Sequence, residues 1–460
     1  MPDDQRVPPP GSARNPDLTW DDIAAIDTHP PADFLLADSY KYLGSEPLST
    51  DRYTSPEFFK QEVEKMWPNV WQLAARDEEL PNAGDTVVYE NVGRSWLITR
   101  QNDGSVKAMQ NVCLHRGRKL RTESGKASSF YCGYHGFNWN IDGSLRNIPC
   151  RWDFPHLTND KMTLPEAQVG HWQGYIFIKE NEGGPTLEEF LAPLPAHFQR
   201  WTHDNNYTAV WAAKVVNANW KATAEAFMES FHLIATHPQL LPFSADSSTK
   251  CYVLGDHANL MVTAFGYPST HLGNEPKDQQ WVLEQFIANN GRVARGLGKI
   301  EVPKDRTARE VMGEINRKRF SEQAGVDGNH YSDAEVMDAL TYNVFPNCAP
   351  WGGFMPNVLY RWRPWPDQDH TLMEVRLMMR GKPGEKKPPC PPMRLLRDDE
   401  KWTAVEEFGP LGRILQQDWD NLPHVQAGMK AMKSRQVQLA DYEEVRIRHF
   451  HQTLDKYLAR

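Results

Sequence analysis

The sequence predicts an α+β protein, with a small all-β domain followed by a larger domain of strands and interposed helices. Three observations carry this. The chain has 460 residues, room for two domains at roughly 100–200 residues each. From about Val70 to Lys179, short alternating runs (TVVYENV, SWLITR, SVKAMQNV, GYIFIK) are separated by the turn signals PNAGD, QNDGS and IDGS. Such runs describe half-buried strands. Beyond about Leu187, strand-like runs alternate with stretches of helical spacing. The boundaries read as 1–67 for an N-terminal arm and helix belonging to the larger domain, 68–183 for the β domain, and 184–460 for the rest.

Taken in order, residues 1 to about 40 are polar and rich in Pro and Asp, an arm that lies on the body or against a neighbouring chain. Ser55 to Trp67 opens with Ser-Pro, has Glu57 in the first turn and spaces Phe58, Phe59, Val63 and Met66 as one helical face, so a short helix is predicted. ENEGGPTLEEF closes the β domain, with a Thr-capped helix beginning near Leu187. Thr208–Val216 and Met261–Phe265 read as strands. Asn219–Thr236 reads as one long helix, and Gln279–Lys318 as helical and charged. Val358–Trp362 and Thr371–Met379 read as paired strands, and Gln416–Lys430 and Tyr442–Leu458 as helices.

Hydrophobic residues make up 40% and charged residues 24%, the composition of a globular chain. No apolar run reaches ~18 residues, so no transmembrane helix is expected. Met1 to Gly11 lacks an apolar core of the secretory type, and a cytoplasmic location is expected. The net charge of −9 argues against nucleic acid as partner, since phosphate binding normally brings basic excess. Six cysteines do not make a disulfide framework in a reducing compartment. Cys150, Cys251, Cys348 and Cys390 read as small buried hydrophobes.

Cys113 and Cys132 differ, because a histidine follows each closely. NVCLHRGRKL and CGYHGFNWNIDG give C-x-H, sixteen intervening residues, then C-x-x-H. Gly117, Gly133 and Gly136 would let backbone approach a bound group closely. Four such ligands could hold zinc, but common zinc patterns pair Cys with Cys and His with His. One Cys and one His from each loop instead matches a Rieske [2Fe–2S] cluster, with Cys113 and Cys132 on one iron and His115 and His135 on the other. Its two imidazoles raise the potential to about −150 to +300 mV, from about −400 mV for plant-type clusters.

A second group lies in NWKATAEAFMESFHLIATHP, Asn219 to Pro238. His232 and His237 are five residues apart, about 140° around an ideal helix, so a straight helix cannot aim both at one metal. Pro238 stops the helix and turns His237 toward extended backbone, from which it can swing back. A carboxylate would complete the 2-His-1-carboxylate triad of non-haem Fe(II) oxygenases, with positions left open for O2. Asp418 in QQDWDNLPHVQAG is the candidate, and Asp420 competes with it.

Together these motifs resemble the large (α) subunits of Rieske non-haem iron ring-hydroxylating oxygenases. The resemblance covers nearly the whole chain: both Cys/His loops, NWK before E-x-x-H-x4-H, Asp418 with Gln426 and Gly428, and the terminal RIRHFHQTLDKYL. It implies a Rieske domain inserted near the start of a helix-grip catalytic domain, cluster ligands Cys113, His115, Cys132 and His135, and iron ligands His232, His237 and Asp418. It also implies a head-to-tail homotrimer in which electrons cross from one subunit's cluster to its neighbour's iron, with a β subunit in some assemblies. A reductase, with or without a ferredoxin, would supply the electrons. Glu229 stands where the family usually has a bridging Asp, with His135 as the matching partner, and members acting on quaternary amines also carry Glu. Glu225 stands where ring dioxygenases often have Asn, which leaves the reaction open between dihydroxylation, monooxygenation and demethylation. Phe227, Phe231, Phe345 and Asn347, with Glu225, are expected to line a pocket for an aromatic or polycyclic substrate, and the Tyr267–Tyr342 segment to shape its entrance. A stand-alone electron carrier would need only the β domain, and a zinc-stapled module would hold no iron.

Overall fold

The computed structural model describes residues 9–273, 275–289, 299–354 and 357–459. Two compact units emerge. One runs Gln61–Phe190, and the other joins the chain up to Lys60 with Leu191–Ala459.

The smaller unit is all-β. Its seven-stranded antiparallel sheet runs, edge to edge, Gln72–Arg76, Tyr175–Lys179, Glu166–Trp172, Val106–Gln110, Arg94–Arg100, Asp85–Asn91 and Gly125–Lys126. Strand alternation sorts the side chains between two apolar clusters. Trp96, Ile98 and Ala108 join Tyr89, Ile176 and Ile178, while Leu97 and Met109 join Phe130, Phe137, Trp139 and Leu164. Cys113 and Cys132 belong to the second cluster. A small sheet of Phe130–Tyr131, Asn138–Trp139 and Leu145–Asn147 carries the second Cys/His loop. The hairpin joining Asn91 to Arg94 uses Val92 and Gly93 at φ 45° and 78°, the left-handed pair that a two-residue turn between twisted strands requires.

The larger unit is built on an eight-stranded sheet. Its order is Lys250–Leu254, Ala258–Thr263, Ala339–Val344, Ala349–Gly352, Asn357–Pro364, Thr371–Arg380, Asn206–Val216 and Arg394–Leu395. All pairings are antiparallel except the last. Helices Pro410–Ala431 and Val445–Leu458 accompany it. The N-terminal arm lies on this body. Trp20 Nε1 donates to Asp338 at 2.9 Å, and the buried Arg309 guanidinium forks between Asp27 and Asp338.

Three helical expectations change. Asn219–Thr236 is not one helix: Trp220–Glu225 and Leu233–Thr236 flank an irregular turn. Phe227 and Met228 close tight i→i+3 bonds to Ala224 and Glu225, and the Glu229 carboxylate then takes the His232 backbone N–H at 3.2 Å. Polar side chains thus replace the helix ladder. In Ser55–Trp67 the helix Pro56–Gln61 widens into a π-turn, Glu62–Met66. Pro68 follows, and its ring would clash with the carbonyl four residues back in regular α geometry. Gln279–Lys318 holds two helices, Gln279–Asn289 and Ala308–Ala324, the second started by a Thr307–Glu310 capping box. The part of that stretch, and of the expected entrance segment, at 290–298 lies outside the described residues.

Candidate metal centres and substrate cavity

The two Cys/His loops are the same turn used twice. Cys113 N–H donates to the Arg118 carbonyl at 2.8 Å, and Gly117 N–H returns to the Cys113 carbonyl at 2.9 Å. In the second loop Cys132 pairs with Phe137 at 2.8 Å and Gly136 returns to Cys132 at 3.0 Å. Gly117 and Gly136 sit at φ 77° and 78°, backbone that a side chain would strain. Asn111 pins the first loop, its carbonyl accepting from the N–H groups of Leu120 and Arg121. Histidine falls two residues after Cys113 and three after Cys132.

This turn buries both sulfurs in the apolar cluster, with His115 half-buried and His135 exposed. The rings of His115 and His135 meet edge to face at 4.7 Å, and His115 stacks on Phe137 at 4.6 Å. Burial pushes the Cys113 thiol up. Burial also works upward on Cys132, but backbone N–H groups of Tyr134 and His135 and the Cys113 side chain bring it below its usual value. Burial lowers His115, favouring the neutral ring that ligates metal. His115 Nδ1 is buried without a partner among the described residues. Two buried sulfurs and an unsatisfied imidazole nitrogen fit a Cys2His2 iron–sulfur group.

In the larger unit, His232, His237 and Asp418 bring ligand atoms within 4.8 Å of one another. His237 ends the Leu233–Thr236 helix at φ −124°, ψ 50°, and its ring returns to 5.1 Å from that of His232. Asp418 Oδ1 lies 2.9 Å from His237 Nε2 and 3.7 Å from His232 Nε2. Each imidazole is held from behind. His232 Nδ1 lies 2.5 Å from Glu229 Oε1, and His237 Nδ1 lies 3.0 Å from Gln417 Oε1. Each acceptor places the ring proton on Nδ1 and leaves Nε2 as a lone pair facing Asp418. Burial opposes charge on His232, but Glu229 raises the ring above its ordinary value. The three donors fit one mononuclear ion with an open side. Asp420 is exposed and accepts from Gln416, which leaves Asp418 as the carboxylate.

These ligands open onto a cavity of about 180 Å³ that communicates with solvent. Phe227, Leu240, Phe243, Phe265, Trp351 and Tyr360 are among its walls, and among the described residues the lining includes no Lys or Arg. Of the five expected pocket residues only Phe227 lines it. Glu225 points elsewhere, bonded to Tyr53 Oη at 3.1 Å and His451 Nε2 at 2.7 Å. Phe231 is 38% exposed at the surface. Phe345 packs on Phe450 and Tyr457, and Asn347 is buried in the turn between two strands. The helix break re-aims Phe231, since spacing on a continuous helix no longer says which way it faces.

Sequence reasoning did not single out Gln417. Its position beside Asp418 in QQDWD was the available signal, and Gln239 holds it in place from 2.7 Å.

Both arrangements belong to one class, proteins pairing a Rieske cluster with a mononuclear iron. Residues 70–158 match the family described as Rieske [2Fe-2S] domain, and residues 196–460 match Ring hydroxylating alpha subunit (catalytic domain). The second match spans more than half of the chain, which therefore belongs to the ring-hydroxylating oxygenase α-subunit family.

Among curated relatives, the large oxygenase component of the naphthalene 1,2-dioxygenase system of Pseudomonas aeruginosa is 31% identical over 193 residues, 40% of this chain and 43% of that protein. The carnitine monooxygenase oxygenase subunit of Escherichia coli (strain K12) is 30% identical over 190 residues, 40% of this chain and 50% of that one. The chain thus spans half or less of the length of these relatives. Among solved structures, naphthalene 1,2-dioxygenase with indole bound superposes with a TM-score of 0.65 at 22% identity, covering 92% of this chain and 95% of that one. A quaternary ammonium Rieske monooxygenase in complex with L-carnitine gives 0.62 at 18% identity, covering 93% and 98%. These similarities show a shared fold.

Proposed function

We propose that this chain is the terminal oxygenase component of a multicomponent system that hydroxylates an aromatic or polycyclic substrate with O2. The observation that carries the reading is the apolar cavity opening onto His232, His237 and Asp418. In this reading residues 1–67 and 184–460 form the catalytic domain, and 68–183 the Rieske domain. Electrons drawn from NAD(P)H arrive through a reductase, with or without a ferredoxin.

Cys113, Cys132, His115 and His135 hold the [2Fe–2S] cluster, and His232, His237 and Asp418 hold Fe(II). When bound, these groups supply electrons singly and a coordination face for O2. The protein's part is positional. Glu229 and Gln417 fix the two imidazole tautomers, and the aromatic walls exclude water and seat an apolar ring beside the ligands. Glu229 also bridges to His135 of the partner subunit in a homotrimer, coupling the redox state of one centre to the geometry of the other.

A second reading, demethylation or attack on a quaternary amine, draws on Tyr342, Trp351 and Tyr360 in the lining, which could hold a cation by its charge. Among the described residues the lining offers no Lys or Arg to pair with a substrate carboxylate.

The test is metal analysis followed by turnover. Purified protein should be brown, with about three irons per chain. With a surrogate reductase it should convert a panel of aromatics to products heavier by one oxygen, or by two oxygens and two hydrogens. Zinc without visible absorption would sink the proposal, and loss of a methyl group would favour the second reading.

A further inference from the structure

We propose that Ser244 and Thr263 form a polar subsite in the wall of the cavity, and that the substrate is an aromatic molecule carrying a neutral oxygen substituent (hydroxyl, methoxy or carbonyl) which that subsite binds. This rests on the aromatic-oxygenase reading above and sharpens it.

Both side chains line the cavity. Ser244 is 0% and Thr263 3% exposed, and neither hydroxyl has a hydrogen-bond partner among the described residues. Other hydroxyls in the same wall are already engaged. Ser230 donates to the Asp246 carbonyl at 2.7 Å, Thr341 to the Met261 carbonyl at 3.3 Å, and Tyr342 Oη lies 3.1 Å from His197 Nδ1. Leaving a buried hydroxyl unpaired is costly, so two in one apolar wall are a standing demand for a polar ligand atom.

The backbone places the two together. Ser244 forms an antiparallel bridge with Phe265, flanked by Ala245 N–H to Ala264 O and Gly266 N–H to Phe243 O. Thr263 lies two residues before Phe265, and residues i and i+2 of extended chain share a face. Ser244, Thr263 and Phe265 therefore present one patch, an aromatic ring flanked by two hydroxyls. Each hydroxyl offers one donor and two acceptor positions, so the pair can serve an ether, a carbonyl or a hydroxyl. An anion is disfavoured by the carboxylates Glu229 and Asp418 in the lining, which among the described residues includes no Lys or Arg.

The patch is also tied to the metal site. Leu240 N–H bonds to the His237 carbonyl at 2.9 Å, and Ser244 N–H to the Leu240 carbonyl at 2.9 Å. One tightly turned stretch thus carries an iron ligand at one end and the subsite at the other. Anchoring a substituent at Ser244 fixes how the ring is presented to the ligands, which is a means of regiochemical control.

The test uses the metal-loaded protein and three probes, naphthalene, 2-naphthol and 2-methoxynaphthalene, with Kd measured by calorimetry and products read by mass. The wild type should bind both oxygenated probes about ten-fold more tightly than naphthalene, the gain expected from pairing a buried hydroxyl that the hydrocarbon leaves unpaired. Ser244→Ala and Thr263→Val should each shrink that ratio, and together bring it near one. Thr263→Ser, which keeps the hydroxyl, should preserve it and so separates loss of the group from disturbance of the strand. Equal binding of the three probes by the wild type, or an unchanged ratio in the double variant, would overturn the subsite alone. Failure to oxygenate any probe with both metal centres loaded and a reductase present would overturn the aromatic reading, and the subsite with it.

Discussion

At the scale of single residues, the metal ligands are only as good as the groups behind them. Glu229 lies 2.5 Å from His232 Nδ1 and orients that ring from the side away from Asp418. Glu229→Gln keeps an acceptor oxygen but removes the charge. The variant should retain mononuclear iron and the visible spectrum of the cluster while turnover falls on the order of 10–100-fold. Normal coupled turnover would refute the role. Residue chemistry made much of this group readable in advance, because few side chains bind iron and their spacings are narrow. Choosing Asp418 over Asp420 from the residues themselves was not possible, since the choice is one of burial, and here Asp418 is 7% exposed while Asp420 faces solvent. Glu225 shows the opposite limit. Its place in the chain suggested the pocket, yet Tyr53 and His451, both distant in sequence, claim it.

Among the elements, the central strands of the larger sheet carry a buried charge cluster. Arg361 pairs across strands with Glu374, whose oxygens meet Arg361 at 2.6 and 3.0 Å and Arg363 at 3.0 Å. Burial opposes ionisation of Glu374, but Arg361, Arg363 and Arg376 overcome it and hold the carboxyl at about 2. A carboxylate depressed below its unfolded value of 4.5 contributes stability above that value and loses it as pH falls toward about 2. Glu374→Gln should therefore cost about 3–5 kcal/mol at pH 7, since it removes the carboxylate that these buried guanidinium groups share. Denaturant melts should show the gap narrowing between pH 4.5 and 2, and a pH-independent gap would contradict this account. Such strands were hard to see beforehand. Lys250–Leu254 and Ala339–Val344 are buried on almost every residue, so they lack the alternation that marked the smaller unit. The break after Glu225 escaped notice for a related reason: the groups that replace its helix bonds are side chains of the turn itself.

On the scale of the molecule, each unit has its own core and its own metal chemistry. In Gln61–Phe190 the two sulfurs proposed to hold the cluster, those of Cys113 and Cys132, are buried in the apolar core. Metal binding at such a site contributes to folding. Cys132→Ser, which should prevent cluster assembly, is expected to lower the unfolding temperature of the smaller unit and make residues 113–135 the first cut by protease. A variant with wild-type melting and wild-type digestion would show that the core is complete without the cluster. Among the described residues no helix is long and apolar enough to cross a membrane.

The helix Pro410–Ala431 contributes two adjacent residues to the mononuclear site, Asp418 as donor and Gln417 as the support of His237. Asp418 and His237 stand 181 residues apart in sequence. An ion bound between them is a cross-link as well as a cofactor, closing a loop that spans much of the eight-stranded sheet at a cost in chain entropy that rises only slowly with loop length. Because two of the contacts at the site move with that one helix, a small rotation about its axis would shift ligand and support in step. Metal affinity in this protein is thereby a gauge of how the helix is seated.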